Sequence, residues 1–135
     1  EFADNVITIG ALNDVYSGDL IAPFSNYGKS NVDIFAPGMK IWSTIPENKY
    51  RFLQGTSMAA PEVAGVAAML RSYYPQFSAA QIKQIIMQSG TTSNMMVILG
   101  GEPDNTRKFS EISKSGKMVN MYNAFKMAEL SSQNQ

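Results

Sequence analysis

Thr56 and Ser57 form a hydroxyl pair inside a mostly apolar run, residues 53–70, which reads LQGTSMAAPEVAGVAAML. A serine hydroxyl becomes a nucleophile when a base takes its proton and donors await the oxyanion that forms. The local pattern supplies part of this. Gln54-Gly55 closes a predicted strand and the apolar run predicts a helix, so Ser57 falls at a strand-to-helix junction. Free backbone N–H groups and the helix dipole favour negative charge there. The Ser57 N–H is therefore a candidate oxyanion-hole donor. Pro61, four residues on, has no N–H to donate to the Ser57 carbonyl. The plainer alternative is that Thr56 or Ser57 merely caps a buried helix, the ordinary use of a hydroxyl at that position. A base is wanting, because the chain contains no His.

The elements that must position this pair can be read from periodicity and punctuation. Residues 6–9 (VITI) are β-branched and stop at Gly10, which predicts a first strand. Residues 13–31 are rich in Gly, Ser, Asn and Asp and predict loop. Strands are expected over 32–36, 40–45 and 50–54. The polar turn at 46–49 makes a hairpin of the last two. The helix expected over 58–74 is apolar nearly all round, the mark of a helix covered on every side. Pro75 disfavours helical geometry in the residue before it. Ser78 and Gln81 form a capping box, with Phe77 and Ile82 as a hydrophobic staple. Ala79, Ile82, Ile85 and Ile86 make the inner face of that helix, and Gly90 stops it. Residues 96–99 predict a strand, 100–117 a polar loop, and Asn120 a cap on a last helix over 121–130. Residues 131–135 predict a frayed tail. Strands mixed with helices indicate the α/β class.

Composition narrows the partners. The 135 residues carry 11 Lys+Arg and 11 Asp+Glu, a formal net charge of zero with no dense basic cluster, which argues against nucleic acid. There is no Cys, so disulfides and thiolate metal sites are excluded. The longest near-apolar run is too short to span a bilayer and is broken by Pro61 and Glu62. No signal peptide is visible, and the chain opens on Glu1 rather than Met, so upstream sequence is expected. No carboxylate cluster has calcium-binding spacing. The nine Met read mainly as core filler, with Met58 sensitive to oxidation if exposed.

The literal string changes the weight on Ser57. GTSMAAP (55–61), followed by VAG (63–65), resembles the nucleophile motif of the subtilases, the subtilisin-like serine proteases. VITIGA (6–11), FSNYG (24–28), VDIFAPG (32–38), IWSTIP (41–46), NKY (48–50) and MVNMYNAF (118–125) resemble further family segments in the same order. The resemblance implies that residues 1–135 are the C-terminal half of a peptidase domain with a three-layer αβα fold. It implies a serine endopeptidase whose Asp–His–Ser triad draws its nucleophile, Ser57, from this chain. The His, the Asp and the oxyanion-hole Asn belong to the missing N-terminal half, the first partner expected. This chain alone is then expected to be inactive. Asp14, Asp19 and Asp33 lie in no catalytic Asp motif and read as loop or strand-edge residues.

The resemblance further places Gly55, Thr56, Leu53 and Phe24 at a polypeptide substrate, Leu53 and Phe24 on its leaving-group side, though ordinary packing is an equal reading for these two. It implies a secreted, periplasmic or cell-surface protein, and calcium as a common stabiliser in the family. Half a sheet should expose a strand edge and an apolar helix face, so self-association is expected. The alternative function is that of a non-catalytic homologue serving as a binding or structural module. Three departures from the family pattern stand out. Glu62 replaces a common His that is not the triad base, the stretch 95–117 is long and polar, and Lys117 replaces a common Gly.

Overall fold

A computed structural model describes residues 3–133. Strand β1 (Ile9–Leu12) is followed by a short 3-10 helix (Gly18–Leu20), β2 (Ile34–Pro37), β3 (Ile41–Ile45) and β4 (Lys49–Leu53). The long helix α1 (Thr56–Tyr73) and the shorter α2 (Ala79–Ser89) come next. Four more strands follow, β5 (Thr91–Thr92), β6 (Met96–Leu99), β7 (Glu102–Lys108) and β8 (Lys117–Met118), with a 3-10 helix (Phe109–Glu111) between the last two. Helix α3 (Met121–Gln133) closes the described chain. The central sheet has the order β1-β2-β8-β5. Its β1, β2 and β8 are parallel, and β5 runs antiparallel to β8. The α/β class read from the sequence is what forms.

The two-residue period of the strands divides the core. Ala11, Ile34 and Ala36 point into a cluster with Ala59, Val63, Val66 and Leu70 of α1, with α2 and with α3. Leu12 and Phe35 point the other way, onto Leu20, Ile21, Val97, Leu99, Phe109 and Ile112. Gly10 must lack a side chain, because a Cβ there would come within 2.2 Å of the Phe35 ring. A buried ion pair ties α2 to the sheet. The Lys83 ammonium donates to the Val6 carbonyl at 2.5 Å and lies 3.3 Å from the Asp33 carboxylate. That carboxylate also accepts from the Thr8 N–H and hydroxyl.

Several elements depart from the sequence reading. β1 lies three residues later than the VITI segment. Pairing with Ile34–Pro37 and burial under α1 outweigh local β-branching. Asp33 is buried just before β2 as the Lys83 partner, not a free strand edge. The polar stretch 100–117 contains β7 and the first residue of β8. Gly100 and Gly101, with φ of 64° and 71°, make the two-residue turn that folds β7 back on β6. β7 is almost wholly exposed, so it carries no apolar alternation to announce it. Residues 131–133 continue α3, while Asn134 and Gln135 lie outside the described residues. The hairpin of β3 and β4 forms as read, with Glu47 and Asn48 of its turn at positive φ.

The largest departure concerns α1. Only Ala59, Val63, Val66 and Leu70 are buried, and Ala60, Pro61, Ala64, Gly65 and Ala68 face outward. A Cβ built on Gly65 meets no atom within 4 Å. The sheet, α2 and α3 cover one side of this apolar helix, and among the described residues the outward side is exposed. No described helix is long and apolar enough to cross a membrane.

Candidate active site

Ser57 stands in the first turn of α1 and is exposed. The residue that caps this helix is Gly55, and no side chain makes a capping hydrogen bond. The reading in which Thr56 or Ser57 caps the helix is thereby overturned. Gly55 has φ 144° and ψ 161°, a region that essentially only glycine occupies. This kink turns the chain from β4 straight into the helix, so the first hydroxyls project from the turn without folding back on it. The Met58 N–H closes the first short turn on the Gly55 carbonyl at 3.0 Å. The Thr56 and Ser57 N–H groups precede that bond, among the orphan donors of a helix start. Pro61 sits inside the helix and leaves the Ser57 carbonyl without its ladder donor.

The frame behind this turn is made of backbone. The Gly38 N–H donates to the Leu12 carbonyl at 3.0 Å, and the Gly55 N–H donates to the Gly38 carbonyl at 2.8 Å. The end of β1, the residue after β2 and the cap of α1 are thus linked in series. Gly38 read from sequence only as a strand stop. Nothing in the residues around it signalled a further role, and β3 begins three residues on.

The other predicted residues are placed as follows. Leu53 ends β4, half-buried, paired with Ile41. Thr56 is half-buried beside Ser57. Phe24 lies on the loop between the first 3-10 helix and β2, 43% exposed. Leu53, Gly55, Thr56 and Ser57 are brought together by chain continuity, whereas Phe24 stands on a separate loop. Met58 is half-buried, its sulfur 3.7 Å from where a Gly55 side chain would begin. Glu62 falls beyond the first turn and is exposed, outside the reach of the helix-start dipole. A groove of about 530 Å³ runs along α1 past Pro37, Pro61, Glu62, Gly65 and Met69.

Asp14 and Asp19 sit in the loop and 3-10 helix after β1. A hydrogen bond from the Lys40 ammonium at 2.7 Å, helped by its charge, holds the exposed Asp14 carboxyl below its ordinary value. Among the described residues, no group of three or more His, Cys, Asp and Glu could hold a metal ion.

Comparison with known proteins decides the family. The family profile described as Subtilase family matches residues 2–115. The chain belongs to the subtilase family. Subtilisin DY of Bacillus licheniformis is 42% identical over 88 residues, which is 65% of this chain and 31% of that protein. The thermophilic serine proteinase of Bacillus sp. (strain AK1) is 55% identical over 69 residues, 51% of this chain and 16% of that one. Among solved structures, the subtilase cytotoxin SubAB aligns with a TM-score of 0.69 at 26% identity, over 93% of this chain and 37% of that one. The patellamide maturation protease PatA aligns with a TM-score of 0.69 at 26% identity, over 93% and 43%. This subtilase chain spans less than half the length of each of these relatives.

Proposed function

We propose that this chain is the nucleophile-bearing part of a subtilisin-like serine endopeptidase. Ser57 Oγ attacks a peptide carbonyl while a base supplied by the missing N-terminal half takes its proton and passes it to the leaving amine as the C–N bond breaks, and water then hydrolyses the acyl-enzyme to free the acid and Ser57. The Ser57 N–H is one donor to the oxyanion. The observation that carries this reading is the unengaged hydroxyl at a helix start that no side chain caps, inside the GTSMAAP string of a subtilase. Gly55, Thr56, Leu53 and Phe24 are proposed to face a polypeptide substrate. Membership of the subtilase family supports a secreted, periplasmic or cell-surface protein, and we assign no calcium site to this chain.

The first partner is the rest of the catalytic domain, and the exposed outer face of α1 supports this. The outer edge of β1 is closed at Ala11, where Ala22 N–H donates to its carbonyl and Ser25 Oγ accepts from its N–H. Among the described residues, Ile9 has no such cover on that edge. The isolated chain is expected to self-associate, and light scattering from a stable monomer would count against that.

The deciding experiment is labelling with a fluorophosphonate followed by peptide mapping. A protein that joins this chain to its N-terminal half should be modified at Ser57, while the isolated chain should show no measurable peptidase activity. Wild-type-like turnover by the pure isolated chain would sink the proposal. Absence of label from both proteins would return the reading to a non-catalytic homologue.

A further inference from the structure

We infer that Gly38 is a positioning residue for Ser57, a role that rests on the reading of Ser57 as nucleophile. Gly38 is not among the residues at positive φ, so backbone freedom does not explain a glycine here. Space does. A Cβ at this position would lie 2.7 Å from the Ala11 Cβ and 2.9 Å from the Gly55 carbonyl oxygen. These are two different contacts. The first is a core contact, since Ala11 is fully buried. The second falls on the carbonyl that accepts the Met58 N–H and so closes the turn around Ser57.

Gly38 also holds that turn by hydrogen bond. Its own carbonyl accepts the Gly55 N–H at 2.8 Å, while its N–H is fixed to Leu12 at 3.0 Å. The bare α-carbon therefore lets the helix cap rest directly on the sheet. Any side chain would wedge the Gly55 peptide outward and carry Ser57 and its N–H with it. A shift of about 1 Å at a reacting group costs about 100-fold in rate.

The two contacts can be separated. Gly38→Ala alone should lose both stability and reactivity. Adding Ala11→Gly removes the core clash, leaves the Ala11 α-carbon at 3.4 Å, an ordinary contact, and keeps the 2.9 Å contact with the Gly55 carbonyl. In a protein that carries both halves of the domain, the double variant should melt close to Ala11→Gly alone. It should still react with fluorophosphonate about 10- to 100-fold more slowly. The Ser57 amide resonance should move in the double variant relative to Ala11→Gly.

Equal labelling rates in the double variant and in Ala11→Gly would overturn the proposal. So would an unmoved Ser57 amide, which tests the geometry even if the wild-type protein proves unreactive. That last result, no label on wild type, would refute the nucleophile reading separately. An unfolded double variant beside a folded Ala11→Gly protein would also overturn the proposal, by making Gly38 a packing residue only.

Discussion

Helices α1 and α2 begin in opposite ways within the same small sheet protein. At α2, the Ser78 hydroxyl accepts the Gln81 N–H at 3.2 Å, and the Gln81 side chain accepts the Ser78 N–H at 2.7 Å. Hydroxyl and amides are consumed by each other, and the helix start is chemically closed. At α1, glycine takes the cap position, no side chain folds back, and Ser57 and its N–H stay open to a ligand. A serine near a helix start is thus not informative by itself. What distinguishes the two is whether the residue ahead of the helix has a side chain to close it with. The packing differs in the same sense. α2 buries Ile82, Lys83, Ile85, Ile86 and Met87 on a single broad face, whereas α1 is apolar on both faces and buries one.

The comparison makes its largest prediction at the two serines. Ser57→Ala, in a protein with both halves of the domain, should lower peptidase turnover by about 10⁴- to 10⁶-fold. Its melting point should barely change, because the Ser57 side chain is exposed and has no hydrogen bond among the described residues, and a stability change within about 0.5 kcal/mol is expected. A large loss of stability with activity retained would erase the distinction between the two helix starts.

Gly55→Ala comes next. It puts a side chain at φ 144° and should cost about 1–3 kcal/mol in denaturant unfolding, together with slower labelling of Ser57. An unchanged unfolding midpoint would mean that the turn does not need glycine. Ser78→Ala should cost about 1 kcal/mol through loss of the cap, with the labelling rate of Ser57 unaltered.

The smallest effect is remote from both helix starts. The Asp14 carboxyl is held below its ordinary value by Lys40, so the ion pair contributes at neutral pH and is lost as pH falls through the folded value. Lys40→Met should raise the Asp14 titration toward the ordinary carboxylate range and remove that acid-side dependence. An NMR titration reads both, and a shared change at Ser57 or Ser78 would show the regions to be coupled.

Much of the fold was legible because its signals are local. The Ser78–Gln81 box, the Asn120 cap, whose side chain accepts the Asn123 N–H at 2.9 Å, and the β3–β4 hairpin depend on neighbours within a few residues. Two failures have a common cause. The strand β7 is polar on both faces, and β1 is set by its partner β2, so neither has a register that its own residues reveal. The Gly100-Gly101 turn was a readable hairpin signal that the polarity of the stretch obscured.

By itself, the sequence determined the family string around Ser57, the α/β class and the absence of a His, because each follows from residue identity and order. Only the tertiary structure decided whether Ser57 is a cap, which face of α1 is covered, that Asp33 is partnered by a buried Lys83, and why residue 38 is glycine. Those answers depend on atoms brought together from distant segments. A hydroxyl is free, and a glycine is necessary, only in relation to what the fold places beside it.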